Sequence, residues 1–204
     1  MINAMNGISF TGTTYSNHIG SMAQGTGEKV VDINDTARSL KSLLCVSRLQ
    51  ADVSSITTNG LSHYLPNATT AFNFRIGEDQ YPPSRIQCAI SSAQANPTYN
   101  ANNTANAYQN LQMALGSANN IHAQSLIDNR QFNSNGFIMA VDCEKYMSET
   151  GNVSNTGIDT LSGNLNVSLE VDNNVATGVN RVDTYAMKEV MFYLNPDGNW
   201  SVSK

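Results

Sequence analysis

Charge is what this 204-residue chain has least of. Asp, Glu, Lys and Arg together make 13% of it, about half the share of an ordinary globular protein. The net charge is −5 and only 11 residues are Lys or Arg. These are scattered, which excludes the clustered basic surface that phosphate backbones require and so any direct nucleic-acid role. Long hydrophobic runs are missing too: none approaches the ~20 residues of a membrane-spanning helix, so no membrane span is expected. The N-terminus has no signal-like apolar core. Cysteine is scarce and odd in number. Cys45, Cys88 and Cys143 are far apart and each lies in apolar surroundings, which reads as three reduced, buried thiols in a reducing compartment, with one disulfide as the alternative.

What fills the gap is Asn, Ser, Thr and Gly, giving a neutral polar surface. With 40% hydrophobic residues and a length at which roughly 70% of the unfolded surface can be buried, the chain is expected to fold as one domain without staples. Met1–Gly27 reads as an N-terminal arm or loop holding one strand candidate, Ile8–Tyr15, and residues 28–204 as a single domain. The domain is dominated by strand patterns. Lys29–Ile33 is short. Arg38–Leu49, Phe72–Ile76, Ile86–Ile90, Phe137–Asp142, Leu165–Val171 and Val182–Leu194 are the expected framework strands. Asn164–Val171 alternates polar and apolar at every step, the signature of a strand with one wet and one buried face. Asn195-Pro196-Asp197-Gly198-Asn199 is a turn, closing a hairpin onto Trp200-Ser201-Val202. Pro82-Pro83 cannot sit inside an inner strand.

One stretch departs from this pattern. Ala107, Tyr108, Leu111, Ala114 and Leu115 recur at helical spacing, so a helix of ~12 residues is predicted between Thr104 as N-cap and Gly116 as C-cap. Ile121–Ile127 fits strand or helix equally. Strands do not alternate with helices, which disfavours a parallel α/β fold. The fold class predicted is all-β: an antiparallel jelly-roll sandwich with one short helical insertion.

Chemistry is hard to find. His18, His63 and His122 have no HxH or HExxH spacing, and exposed loop positions suit them better than a metal site. Asp142 and Glu144 flank Cys143, with Glu149 and Asp159 beyond. Acid–base work would need such a pair, but a strand end with solvated carboxylates accounts for it. Cys143 has no His near it in sequence to act as a base. Gly20–Lys29 has the glycine content of a phosphate loop but not its spacing, and reads as a flexible loop. Asp172-Asn173-Asn174 lacks the spacing of a calcium loop and reads as a hairpin turn. Sequons at Asn67, Asn102, Asn152, Asn166 and Asn199 arise readily by chance in so Asn-rich a chain, and without a signal segment no glycosylation is expected. Tyr185, Phe192, Tyr193 and Trp200 could form a sugar-stacking platform, or belong to the core or a subunit interface. No catalytic, cofactor-binding or metal-ligating residue is therefore assigned, and no enzymatic activity is expected.

Several segments, in order, resemble the double jelly-roll major capsid proteins of eukaryotic DNA viruses, most closely those of virophages and polinton-like viruses. They are Ala37–Leu44, Phe74-Arg75-Ile76-Gly77 with Tyr81-Pro82, Phe137–Lys145, Thr156–Thr160 leading into Gly163–Val171, and Val182–Tyr185 through Pro196–Val202. The order is similar to that of the second, C-terminal jelly roll and spans roughly Val30–Lys204. The resemblance implies a structural protein, a jelly-roll domain of a major capsid protein, that self-assembles into capsomers, as trimers, and with other capsid proteins into an icosahedral shell. It implies a virion location, with assembly in the host cytoplasm or a viral factory, and carries no catalytic or cofactor residues. The family's chains are more than twice this length, so the sequence corresponds to one roll of two, or to a single-roll relative, and autonomous trimer formation does not follow. Two alternatives stand beside it. One is a minor capsid, penton or lectin-like jelly roll that recognises a glycan or receptor. The other is a cupin-like enzyme, disfavoured by the scattered histidines. Neutral loops such as Asn96–Asn106 and Ser148–Thr160 are where contacts between subunits are expected.

Overall fold

A computed structural model of the chain describes residues 8–55, 57, 69–88, 101–117, 132, 136–144, 157–175, 180–195 and 197–203. Nine strands and two helices are found among them: β1 (Ile8–Met22), β2 (Gly25–Ile33), β3 (Leu40–Leu49), α1 (Gln50–Val53), β4 (Thr69–Ile76), β5 (Asp79–Gln87), α2 (Ala101–Ser117), β6 (Met139–Asp142), β7 (Val167–Val175), β8 (Asn180–Leu194) and β9 (Trp200–Ser203). One sheet has the order β1-β8-β3-β6, with β9 also on β8. The other has the order β2-β7-β4-β5. All pairings are antiparallel. The chain passes back and forth between the sheets, so strands distant in sequence become neighbours. That topology is a jelly-roll sandwich.

The alternation seen in the sequence decides which residues meet between the sheets. Val167, Leu169 and Val171 of β7 lie opposite Ile76, Phe74 and Phe72 of β4 and beside Ile33, Val31 and Lys29 of β2. From the first sheet come Leu43 and Cys45 of β3 and Val182 and Ala186 of β8, all buried in the same cluster. Each such large apolar side chain taken from water contributes about 1.5–3 kcal/mol. The helix α2 packs against β6, β3 and β5 through buried Ala107, Leu111 and Ala114. A chain of rings joins it to the sheets: Tyr108 to Phe132 at 5.4 Å, Phe132 to Phe137 at 5.1 Å, Phe137 to Phe72 at 6.4 Å.

Several expectations are corrected. The strand candidate Ile8–Tyr15 is present and longer than expected: beyond Tyr15, in the stretch read as arm or loop, the strand continues to Met22 in unbroken register with β8. The glycine-rich stretch Gly20–Lys29 is the passage from β1 into β2, and the Lys29 ammonium donates to the Gly25 carbonyl at 2.7 Å. Asp172, Asn173 and Asn174 are not a turn. They pair with Glu28, Gly27 and Thr26 inside β7. Thr104 and Gly116 do not cap α2 but lie within its 17 residues, because tertiary packing extends the helix past its local signals.

The strand expected from Arg38 begins at Leu40, because residues 37–40 bond instead to the segment after Gly157. Leu40 and Ile158 exchange two N–H···O bonds of 2.9 Å, and Thr160 donates to the Ala37 carbonyl at 2.9 Å. Strand boundaries elsewhere move by a few residues: β6 starts at Met139, and β7 runs Val167–Val175. Pro82 and Pro83 do lie in a strand, β5, but at the edge of its sheet, the place where a missing N–H costs nothing. The predicted turn after β8 is present, with Gly198 at φ +85° and its N–H donating to the Asn195 carbonyl at 2.9 Å. His63, His122, Glu149, Ala89–Ile90, Asn96–Asn100, Ile121–Ile127, Lys145, Ser148–Thr156 and the sequons at Asn67 and Asn152 lie outside the described residues.

Candidate functional site

Nothing among the described residues converges as a catalytic or metal centre would. No group of three or more His, Cys, Asp or Glu side chains is placed to hold a metal ion. The three thiols are free and buried. Burial pushes Cys45 up to about 12, slightly offset by a hydrogen bond with Thr184, and pushes Cys88 up to about 12. Cys143 is raised by burial and further by the Asp142 charge beside it. Thiolate nucleophiles need the opposite environment. Glu144 pairs with Lys41 at 2.7 Å. Asp159 closes a local turn: the Ser162 hydroxyl donates to it at 2.6 Å, and that bond above all lowers its pKa.

The remaining polar clusters hold the sandwich together. Asp35, buried at the end of β2, accepts hydrogen bonds from the Ser16 hydroxyl at 2.7 Å and from Lys188, and lies 3.3 Å from His18 Nε2. It thereby links the β2 end to β1 and β8. A cleft of about 140 Å³ opens beside it, lined by Thr14, Tyr15, Ser16 and Thr36 on one side and by Lys188, Glu189 and Val190 of β8 on the other. On the outer face of the first sheet, buried Asp183 accepts from Arg48 and from Arg181, the latter at 2.8 Å. On the outer face of the second, Glu170 accepts from Arg75 at 2.7 Å, and Arg85 spans Glu170 and Glu28.

The aromatic quartet of the sequence is divided. Tyr185 and Tyr193 occupy odd positions of β8, which the pleat turns to the opposite face from Phe192. Phe192 and Trp200 are joined by Phe10, which sequence reading did not single out. The Phe10 and Phe192 rings stack at 5.2 Å, and Trp200 meets Phe10 edge-on at 5.5 Å. Gly12 makes room for this, since a Cβ there would stand 2.9 Å from the Phe192 ring. The register aligns Ile8, Leu194 and Trp200 across three strands, then Phe10, Phe192 and Val202. These side chains continue the core-facing side of the first sheet beyond the end of the sandwich, and Phe10, Trp200 and Val202 are each about half exposed. Contiguous exposed apolar surface is where contacts with other molecules are commonly built. The strand itself is legible as the candidate Ile8–Tyr15, but nothing local places Phe10 beside Phe192.

No protein-family model and no curated protein matches the chain. Solved structures do. The capsid of the virus PBCV-1, in a quasi-atomic model, superposes over 98% of this chain with a TM-score of 0.56 at 8% identity. PBCV-1 VP54, fitted into a cryo-EM reconstruction of the virophage Sputnik, superposes over 98% with a TM-score of 0.54 at 9% identity. This chain spans 52% of each of those chains. The similarity is one of fold: the jelly-roll arrangement of this chain is shared with half of a viral capsid chain.

Proposed function

We propose that this protein is a structural component of a viral shell, a jelly-roll domain of the major capsid type without enzymatic activity. The observation that carries the reading is the two-sheet jelly roll, β1-β8-β3-β6 against β2-β7-β4-β5, which superposes on the PBCV-1 capsid over 98% of the chain. Its polar clusters bind its own strands to each other. Low charge limits repulsion between many identical copies, and closed symmetric assembly repeats each small contact many times. The partners proposed are copies of itself, forming capsomers with threefold symmetry, and other capsid proteins. The place proposed is the virion, after assembly in the host cytoplasm or a viral factory. Residues 8–203 act together as one roll.

Mass spectrometry of purified particles tests this. High copy number, alone or joined to a second roll, is the expected result. Absence from particles overturns it.

One observation favours a second reading, a lectin-like or receptor-binding roll: the Phe10–Phe192–Trp200 group, in which Phe10 and Trp200 are half exposed. Low copy number in particles, with glycan binding lost on Trp200→Ala, would establish that reading in place of the first.

A further inference from the structure

We infer that β1 is a pairing edge, through which two copies of this chain join antiparallel about a twofold axis into one continuous sheet. The strands that end the two sheets differ in how well their edges are protected. A free strand edge presents unpaired N–H and C=O groups, and proteins blunt such edges with short strands, charges, prolines or bulges. Here β6 and β9 have four residues each. The edge strand β2 carries Glu28, Lys29 and Asp32. The edge strand β5 holds Pro82, Pro83, Asp79 and Arg85, and its register with β4 is broken.

The edge strand β1 has none of these devices. It runs fifteen residues with no Asp, Glu, Lys, Arg or Pro, and pairs with β8 without a single register shift. Four of the eleven large hydrophobic side chains found exposed among the described residues belong to it: Ile8, Phe10, Tyr15 and Ile19. Ile19 is 63% exposed and Tyr15 53%, so among the described residues nothing covers the outward face of the strand, while β2 approaches its other face at Gly20.

The same comparison selects the occupant. With the other strand edges among the described residues blunted, β1 is the edge that a copy of this chain offers, so the contact is the same surface on both sides and closes on itself. Because β1 is uncharged, two copies meet without like-charge repulsion. Antiparallel pairing satisfies the open backbone groups of both, and cross-strand neighbours cover Tyr15 and Ile19. Closure after two copies also prevents the growth into fibres that a long bare edge otherwise invites. A twofold contact coexists with threefold capsomers in an icosahedral shell. The inference depends on the proposed shell role only for its place in assembly.

The test uses the full chain at micromolar concentration, by light scattering and hydrogen exchange. Thr11 and Asn17 are exposed and lie across from uncharged Met191 and Tyr185. Two variants, Thr11→Lys/Asn17→Lys and Thr11→Glu/Asn17→Glu, place like charges along the edge. The expected result is a dimer for the unaltered chain, with protected β1 amides, and dimerisation weakened at least tenfold in either variant at unchanged circular dichroism. Mixing the two variants restores a heterodimer. A monomeric unaltered chain overturns the inference, as do variants that dimerise as before. A monomer whose β1 becomes protected only in particles, by a different chain, overturns it in favour of a foreign strand. Presence in particles without dimerisation leaves the shell role standing and removes the pairing, and dimerisation without presence in particles does the reverse.

Discussion

The backbone of Gly157 rests directly on that of Leu40: a Cβ at Gly157 would stand 2.4 Å from the Leu40 carbonyl oxygen and 2.8 Å from its nitrogen. Both obstacles are main-chain atoms held by the paired bonds between Leu40 and Ile158, so neither can rotate aside. Gly157→Ala is expected to lower stability by about 1–3 kcal/mol, the usual range for forcing a methyl into a packed site. Gly116 is the control. It lies inside α2 with nothing within 4 Å of its missing Cβ, so Gly116→Ala is expected to stabilise by about 0.5–1 kcal/mol through helix propensity. Urea unfolding of the two variants should give shifts of opposite sign.

Leu169 tests the sandwich register. Its side chain is fully buried in β7 opposite Phe74, and a one-residue slip would turn it to solvent. Leu169→Asp places an unpaired carboxylate in the core, at a cost of several kcal/mol, and is expected to abolish folding. Val30, beside Glu170 on the outer face and 58% exposed, should tolerate Val30→Thr within about 0.5 kcal/mol. Equal effects at the two positions would mean that the faces of the second sheet are assigned wrongly.

These strands were legible in the sequence where one face is wet and the other dry. Val167 to Val171 alternates without exception, and Val182 to Leu194 is rich in residues that suit a pleated surface. The class of fold followed from such stretches, and the position of the prolines of β5 followed from their missing N–H groups. Legibility failed where tertiary partners outweigh local signals. Ser16 to Met22 reads as loop because Ser, Asn, His and Gly have little strand preference, yet its backbone pairs residue by residue with β8. Asn173 and Asn174 look like a turn and lie in β7, Asn173 between β2 and β4 and Asn174 paired with β2. The apolar end of the first sheet required Phe10 to be placed beside Phe192, 182 positions later, and no local pattern encodes that meeting.

The Asp183 cluster yields a prediction with two arms. Its carboxylate is buried and accepts from Arg48, itself buried, and from Arg181, which reaches solvent. Removing one partner of such a pair leaves a buried charge without its counterpart, so Asp183→Asn is expected to cost about 3–5 kcal/mol. Replacing both, as Arg48→Met with Asp183→Leu, should recover most of that loss. A double variant no better than the single one would show that the pair fixes the geometry of β3 against β8 as well as satisfying its own charges.

The thiols set a pH dependence. Cys45 and Cys88 rise from an ordinary value of 9.0 to about 12 in the folded chain, through burial. Below pH 9 both states keep these protons and the thiols leave stability unaffected by pH. Between about pH 9 and 12 the unfolded chain releases them and the folded chain does not, so stability falls as pH rises, by about 1 kcal/mol per pH unit for each thiol. Urea midpoints taken at pH 8 and pH 10.5 should show a shallower decline for the Cys45→Ala/Cys88→Ala variant than for the unaltered chain. Identical slopes would mean that these thiols meet water in the folded protein.

The apolar end of the first sheet separates stability from assembly. Trp200 and Phe10 are half exposed, and their edge-to-face contact is worth about 0.5–1.5 kcal/mol. Trp200→Ser and Phe10→Ser should therefore each cost no more than about 2 kcal/mol in an unfolding experiment, well below the loss expected at Leu169. If the surface is covered by a neighbouring subunit in a shell, the same substitutions expose a polar group at each repeated contact, and particle yield should collapse while the isolated chain still melts cooperatively. Unfolding alone cannot produce that combination, because a variant that loses particles by misfolding also loses its cooperative transition. Normal particle yield from both variants would place the subunit contacts elsewhere on the roll and leave the aromatic surface free to meet a ligand.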